Sequence, residues 1–148
     1  MLRLVVLAVL SMAMFLAAAA TAEAMVFRGK TDQGRAASVV IGSDGLLRAA
    51  RVSWGARCRF GRAHEKTTFA RPHDQSTTDA FFDAGVYRGR DDDGYRLRFM
   101  VSVRGARIAD DRGERWRGSF RGKILVTRRG HYVDTCRSGR VRFTVRPD

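Results

Sequence analysis

The chain of 148 residues is poor in several residue types that small folds and active sites often use. It contains two cysteines, two prolines and three histidines. Two cysteines can form no more than one disulfide within the chain. Apart from the N-terminal segment, there is no linker and no low-complexity stretch. The length therefore favours one ordinary domain rather than two.

Motifs that identify catalytic or metal sites are also missing. The sequence has no nucleophile elbow, P-loop or HExxH motif. Its histidines are too dispersed for a zinc site, and its cysteines lack C-x-x-C spacing and flanking histidines. The clusters at 91–94 and 110–111 are aspartate-rich, but turn formation explains them and they lack the ligand pattern of an EF-hand loop. We predict no catalytic residue, no metal and no cofactor.

The N-terminal segment has the composition of an export signal. One early arginine precedes a long apolar run, and small residues follow it. We predict a helical signal peptide over residues 1–24 and a single β domain over residues 25–148. Two A-x-A cleavage motifs end at Ala22 and Ala24. The competing interpretation is a retained membrane anchor, because about 18 apolar residues can just span a bilayer.

Export determines how the two cysteines are interpreted. Thiols outside the cytoplasm meet an oxidising compartment, where a lone pair of them usually joins. We therefore predict a disulfide between Cys58 and Cys136, closing a loop of 79 residues. In the chain-entropy model such a bond stabilises the fold by about 4 to 5 kcal/mol. The signal lacks a twin-arginine pair, so we expect the general secretory route and a secreted or envelope-associated protein.

Apolar and polar residues alternate with period two along the mature sequence, and no 3.6-residue period is sustained. This pattern predicts an all-β fold of about nine short strands, typical of an antiparallel β-sandwich or a small barrel. An immunoglobulin topology is disfavoured because Trp54 precedes both cysteines. The clearest strands are 48–59, 95–104, 116–126 and 140–146, and the weaker ones are 26–30, 37–41, 66–70, 81–88 and 131–136. Glycine-rich and aspartate-rich turns separate them, including one at Ser138-Gly139.

The alternation also assigns inward-facing positions. Cys58 falls on the apolar side of its strand, as a structural disulfide requires. Gly118 and Gly122 fall on the same face as Trp116 and Phe120. We predict that these two glycines make room for a facing aromatic ring.

Charge is the strongest compositional signal: 28 basic and 15 acidic residues give a net charge of +13. Of the basic residues 25 are Arg, which GC-rich coding also favours without any ligand. The segments 48–59, 95–104, 115–123 and 140–146 contain 14 basic residues and no acidic one. Like charges that face each other across strands destabilise a sheet unless a counterion or ligand neutralises them.

We therefore predict an arginine-lined outer sheet face that binds an extracellular polyanion, such as a cell-wall polymer, an acidic glycan or a nucleic acid. The predicted binding residues are Arg51, Arg57, Arg96, Arg98, Arg104, Arg117, Arg121, Lys123, Arg140 and Arg142.

The alternative is a small secreted hydrolase, ribonuclease-like, using histidine and a carboxylate as acid and base. His64 precedes Glu65, and His73 precedes Asp74, while His131 stands alone. Adjacent residues on a strand point to opposite faces, so neither pair forms a dyad by itself. Convergence of two histidines and a carboxylate would favour the enzyme. Dispersed histidines and a flat basic sheet would favour a noncatalytic module.

Three short motifs along the mature chain carry a resemblance. They are Phe27-x-Gly29-x-Thr31-x-Gln33-Gly34, Trp54-x-Ala56-x-Cys58 and Cys136-x-x-Gly139-x-Val141-x-Phe143. Together they resemble small secreted, disulfide-containing β proteins of high-GC Gram-positive bacteria, over nearly the whole mature chain. Asp32 departs from the small hydroxyl residue expected at its position. The resemblance implies a secreted β domain with a disulfide and supplies no activity.

Overall fold

The computed structural model describes residues 23–61, 63–70 and 79–148, and the regular structure in these residues is entirely β. The predicted all-β class is confirmed. Residues 1–22 of the predicted signal peptide, together with His73, lie outside the described residues. Among those described, no helix is long and apolar enough to cross a membrane. The strands are β1 (Met25–Thr31), β2 (Ala36–Ile41), β3 (Leu47–Cys58), β4 (Ala63–Ala70), β5 (Ala80–Arg90), β6 (Arg96–Asp110), β7 (Gly113–Arg128) and β8 (His131–Pro147).

The eight strands form one antiparallel sheet in the order β4-β3-β2-β1-β8-β7-β6-β5. Successive strands pair within a first half, β1 to β4, and a second half, β5 to β8, and the β1–β8 pairing joins the halves. The end of β3 also pairs with β8, where Cys58 lies opposite Cys136. Because β1 and β3 share one edge of β8, the first half folds over the second. The fold is thus a single sheet closed on itself at β3 and β8.

The structure corrects two details of the predicted strands. First, β6, β7 and β8 span 15, 16 and 17 residues, so they are long rather than short. Second, the predicted strands 131–136 and 140–146 are one strand, which makes eight strands instead of nine.

The predicted turn at Ser138-Gly139 is a bulge within β8. Gly139 has φ 69°, and the β7–β8 register shifts between Arg121 and Lys123. The Ser138 hydroxyl accepts a hydrogen bond of 2.8 Å from the Gly122 N–H across the bulge. A glycine with positive φ suits a bulge as well as a turn, so the sequence pattern does not separate them.

The inward-facing side chains of both halves form one core. Trp54 of β3 meets Phe120 of β7 with ring centroids 4.9 Å apart, and Phe81 of β5 meets Trp116 of β7 at 5.7 Å. All four rings are buried. The inner positions predicted for the four clearest strands are buried as well, except Phe99, which is partly buried against this core.

The two inner-face glycines of β7 lie beneath aromatic rings, as predicted. A Cβ on Gly122 would lie 2.7 Å from Cη2 of Trp54, and one on Gly118 would overlap the Phe143 ring. Glycine is required at these positions because the backbone of β7 is in contact with the rings.

Beside the disulfide, hydrogen bonds from two side chains hold β3 against β8. Gln33, in the turn between β1 and β2, accepts a hydrogen bond from the Gly55 N–H at 2.8 Å. Its amide nitrogen donates to the carbonyls of Gly55 and Ser138 at 3.2 and 3.4 Å. The buried carboxylate of Asp134 accepts from the N–H of Arg59, just after β3, at 3.1 Å. These hydrogen bonds connect the β1–β2 turn and the segment after β3 to the place where β3 pairs with β8.

We expect Gly122→Ala to lower the free energy of unfolding by about 1 to 3 kcal/mol, because the new Cβ overpacks the core against Trp54. Gly55→Ala is the matched control, since its Cβ would meet only the movable Arg35 side chain, at 3.4 Å. Urea denaturation of both variants measures the difference. Equal effects of the two substitutions would contradict the packing described for β7.

Candidate polyanion interface

Besides Arg115 and Arg146, nine cations lie on the outer face of β6, β7 and β8, opposite the core. Outward-facing residues alternate with buried ones along each strand, so the charges gather on one side of the sheet. We call this set the arginine face. It consists of Arg96, Arg98, Arg104, Arg117, Arg121, Lys123, Arg137, Arg140 and Arg142.

Cations stand directly opposite each other across neighbouring strands of this face. Arg121 of β7 is the register partner of Arg140 of β8, and Lys123 is the partner of Arg137. Directly opposed side chains have Cβ atoms about 4.5 to 5.5 Å apart, so each such pair is repulsive. The register of β7 and β8 therefore places like charges next to each other.

The same arrangement continues at both margins of the face. On β5, Arg88 lies opposite Arg98 and Arg90 lies opposite Arg96. On β3, Arg57 lies opposite Arg137 at the point where the sheet closes. A band of cations therefore reaches from β5 across β6, β7 and β8 to the end of β3, although no two cations are directly opposed between β6 and β7.

Eight of the ten residues predicted to bind polyanion belong to the arginine face, and Arg57 adjoins it. Arg51 does not adjoin it, because it lies farther along β3, between Ser38 of β2 and Phe69 of β4 in the register.

Sequence reasoning missed three cations of the band: Arg88, Arg90 and Arg137. Arg88 ended a weakly patterned strand, Arg90 followed it, and Arg137 fell between two predicted strands. The usable signal for Arg137 was the alternation on either side of the bulge, where Cys136 and Val141 both face inward.

The cations of this face lack ion-pair partners among the residues that the structure describes. In the described part of the chain, none of its nine cations forms an ion pair. The one side-chain hydrogen bond that Arg104 makes there goes to the Ser119 hydroxyl, at 3.2 Å. The face thus carries positive charge that the described chain does not neutralise.

Arg115 of β7 shows the contrasting case. Its side chain is buried, and its guanidinium donates two hydrogen bonds of 2.6 Å to the carboxylate of Asp110. These bonds lower the pKa of Asp110 to about 2. Arg115 is therefore neutralised within the β6–β7 hairpin and is not available to a ligand.

Shallow apolar grooves run between the cations. One has a volume of about 740 Å³ and is lined by Val86 and Met100 together with Arg121 and Arg140. A neighbouring groove of about 700 Å³ includes Phe82, whose side chain is 53% exposed. Guanidinium groups bind phosphate, sulfate or carboxylate through paired hydrogen bonds. The surface can therefore hold anionic groups while its grooves contact the apolar parts of the same ligand.

The two histidines that the structure describes lie in different settings. His131 is exposed and begins β8, and His64 is partly buried on β4. In the residues described, neither makes a hydrogen bond or an ion pair with a carboxylate. The acid–base arrangement required by the hydrolase hypothesis is not assembled by these two side chains.

Comparison with protein-family models, curated proteins and solved structures found no match to this chain. The resemblance to secreted β proteins of Gram-positive bacteria stays a prediction. The Cys58–Cys136 disulfide is present in the structure, and the described residues include no free cysteine. A disulfide indicates an oxidising, extracytoplasmic compartment.

Removing one member of an opposed pair should stabilise the fold. We expect Arg121→Thr to raise the free energy of unfolding by about 0.2 to 1 kcal/mol at low salt, because Arg140 loses its like-charged partner. The gain should shrink at high salt, where the Debye length falls to about 3 Å at 1 M.

Lys30→Thr is the matched control, since Lys30 is an exposed strand cation opposite Ala36 and Thr144 rather than another cation. Denaturation at two salt concentrations makes the comparison. A salt-independent effect of Arg121→Thr, or an equal gain from Lys30→Thr, would show that the opposed charges do not destabilise the sheet.

Proposed function

We propose that the mature chain is an exported, noncatalytic module that binds an extracellular polyanion through the arginine face. The observation that carries the proposal is the band of opposed cations, for which the described residues supply no ion-pair partner. An anionic ligand neutralises these cations and removes their mutual repulsion. Ligand binding therefore relieves the destabilisation that the opposed cations cause in the ligand-free sheet. The candidate ligands share one chemistry, a chain of phosphate, sulfate or carboxylate groups.

The extent of the band favours a polymer over a small anion. Neighbouring strands lie about 4.8 Å apart, so the five strands that contribute cations span about 20 Å. Several anionic groups of one chain can then bind at once and release their counterions together. A single phosphate would neutralise one opposed pair and leave the others repulsive.

The exported location is the second part of the proposal. The signal-like segment and the disulfide together support transport by the general secretory route, followed by release or retention at the cell envelope. Wall polymers, acidic glycans and nucleic acid are polyanions that such a protein meets there. The grooves beside Val86 and Phe82 add apolar contact with sugar or base rings.

Binding of the mature domain to heparin, a phosphate-containing wall polymer and a single-stranded oligonucleotide, measured over a salt series, tests the proposal. We expect Arg121→Ser/Arg140→Ser to weaken binding at least tenfold at low salt. With the oligonucleotide, the slope of log affinity against log salt should fall by about 1 to 2, because two ionic contacts are lost.

Arg112→Ser/Arg129→Ser is the control with the same change in net charge, since both residues lie in hairpin turns and not on the strands that carry the band. It should retain most of the affinity. Equal weakening by both double variants would show a diffuse charge effect without a defined face. No binding at low salt, or binding that persists well above physiological salt, would refute the electrostatic mechanism.

A further inference from the structure

An imidazole lies beside the disulfide that closes the sheet. A ring nitrogen of His64 and the sulfurs of Cys58 and Cys136 all lie within 4.8 Å of one another. His64 lies opposite Ala56 in the β3–β4 register, so its side chain shares the inner face with Ala56 and Cys58. Cys58 and His64, on consecutive strands, therefore meet Cys136, which is distant from both in sequence.

One nitrogen of this imidazole has no partner. Nε2 of His64 is buried and makes no hydrogen bond. A buried polar group without a hydrogen bond destabilises the fold. A second state of the site, in which the imidazole binds a ligand through this nitrogen, would give it a partner.

Two cysteines and one histidine are a donor set that zinc uses. We propose that, once the disulfide is reduced, Cys58, Cys136 and His64 bind one Zn²⁺ ion and leave its fourth position to water. A dithiol supplies the two electrons and two protons that convert the disulfide to two thiols, and is itself oxidised to a disulfide. Zn²⁺ then displaces one proton from each thiol and accepts the lone pair of the neutral imidazole.

The distances between the three donor atoms suit the replacement of the S–S bond by a zinc ion. Zn–S bonds of about 2.3 Å and Zn–N bonds of about 2.0 Å place tetrahedral donors about 3.5 to 3.8 Å apart. Side-chain rotation brings atoms now within 4.8 Å to that separation after the S–S bond opens. Cys58 and Cys136 are direct partners on adjacent strands, so the backbone stays paired.

Charge also favours the metal state. One Zn²⁺ and two thiolates have no net charge, which suits a site where Cys136 is fully buried. The closure between β3 and β8 would then have two alternative crosslinks, a disulfide under oxidising conditions and a zinc ion under reducing ones.

The test uses the mature domain reduced with a phosphine, and Zn²⁺ alone as the ligand. Native mass spectrometry should show one Zn²⁺ per reduced chain and none per oxidised chain. Co²⁺ in its place should give thiolate charge-transfer bands and the strong visible bands of tetrahedral coordination. Zn²⁺ should also raise the melting temperature of the reduced domain, or refold it if reduction unfolds it.

His64→Ala should lower the Zn²⁺ affinity of the reduced domain at least tenfold, and His131→Ala should leave it unchanged. Unaltered affinity in His64→Ala would overturn the proposal, as would the absence of both Zn²⁺ binding and thermal stabilisation in the reduced protein. The readouts need no polyanion, so their failure is distinguishable from failure of the proposed binding function.

Discussion

The closure of β3 onto β8 is the contact on which the rest of the structure depends. A disulfide, the buried carboxylate of Asp134 and the amide of Gln33 all act there. Each half of the sheet has only one apolar face, and neither could bury that face alone. Folding the halves together places Trp54 against Phe120 and makes one core. Burial of apolar surface supplies the main stabilisation, while the crosslink restricts the unfolded chain.

The pairing of β3 with β8 also determines which side chains are exposed to solvent. Once the apolar faces are buried, strand alternation leaves the opposite residues on the outside, and in β6 to β8 many of these are arginine. The acidic residues lie mainly in turns or pair with other cations, such as Asp110 with Arg115. The arginine face is therefore a product of fold and composition together. On this face the proposed binding would act against stability, a trade-off that is common at functional surfaces.

Much of this fold could be predicted from residue alternation, since a period of two identifies the buried side of a strand without knowledge of its neighbours. The aromatic rings over Gly118 and Gly122 followed from the same pattern. Pairing between distant strands could not be predicted in this way. It brings Cys136 and Arg137 of β8 to the end of β3, beside His64 and Arg57, and no local signal encodes it. The motif residues of the suspected resemblance include Gln33, Trp54 and both cysteines. They lie at or beside the place where β3 pairs with β8, so their role in the structure is to stabilise the fold.

The two halves of the sheet face each other, an arrangement that a disulfide alone does not require. Proton NMR of the mature oxidised domain tests this most directly, through nuclear Overhauser effects from the Trp54 indole. The account predicts strong effects to the Phe120 ring and to the Gly122 Hα protons, because these groups pack against the indole. Effects confined to residues of β1 to β4 would contradict it.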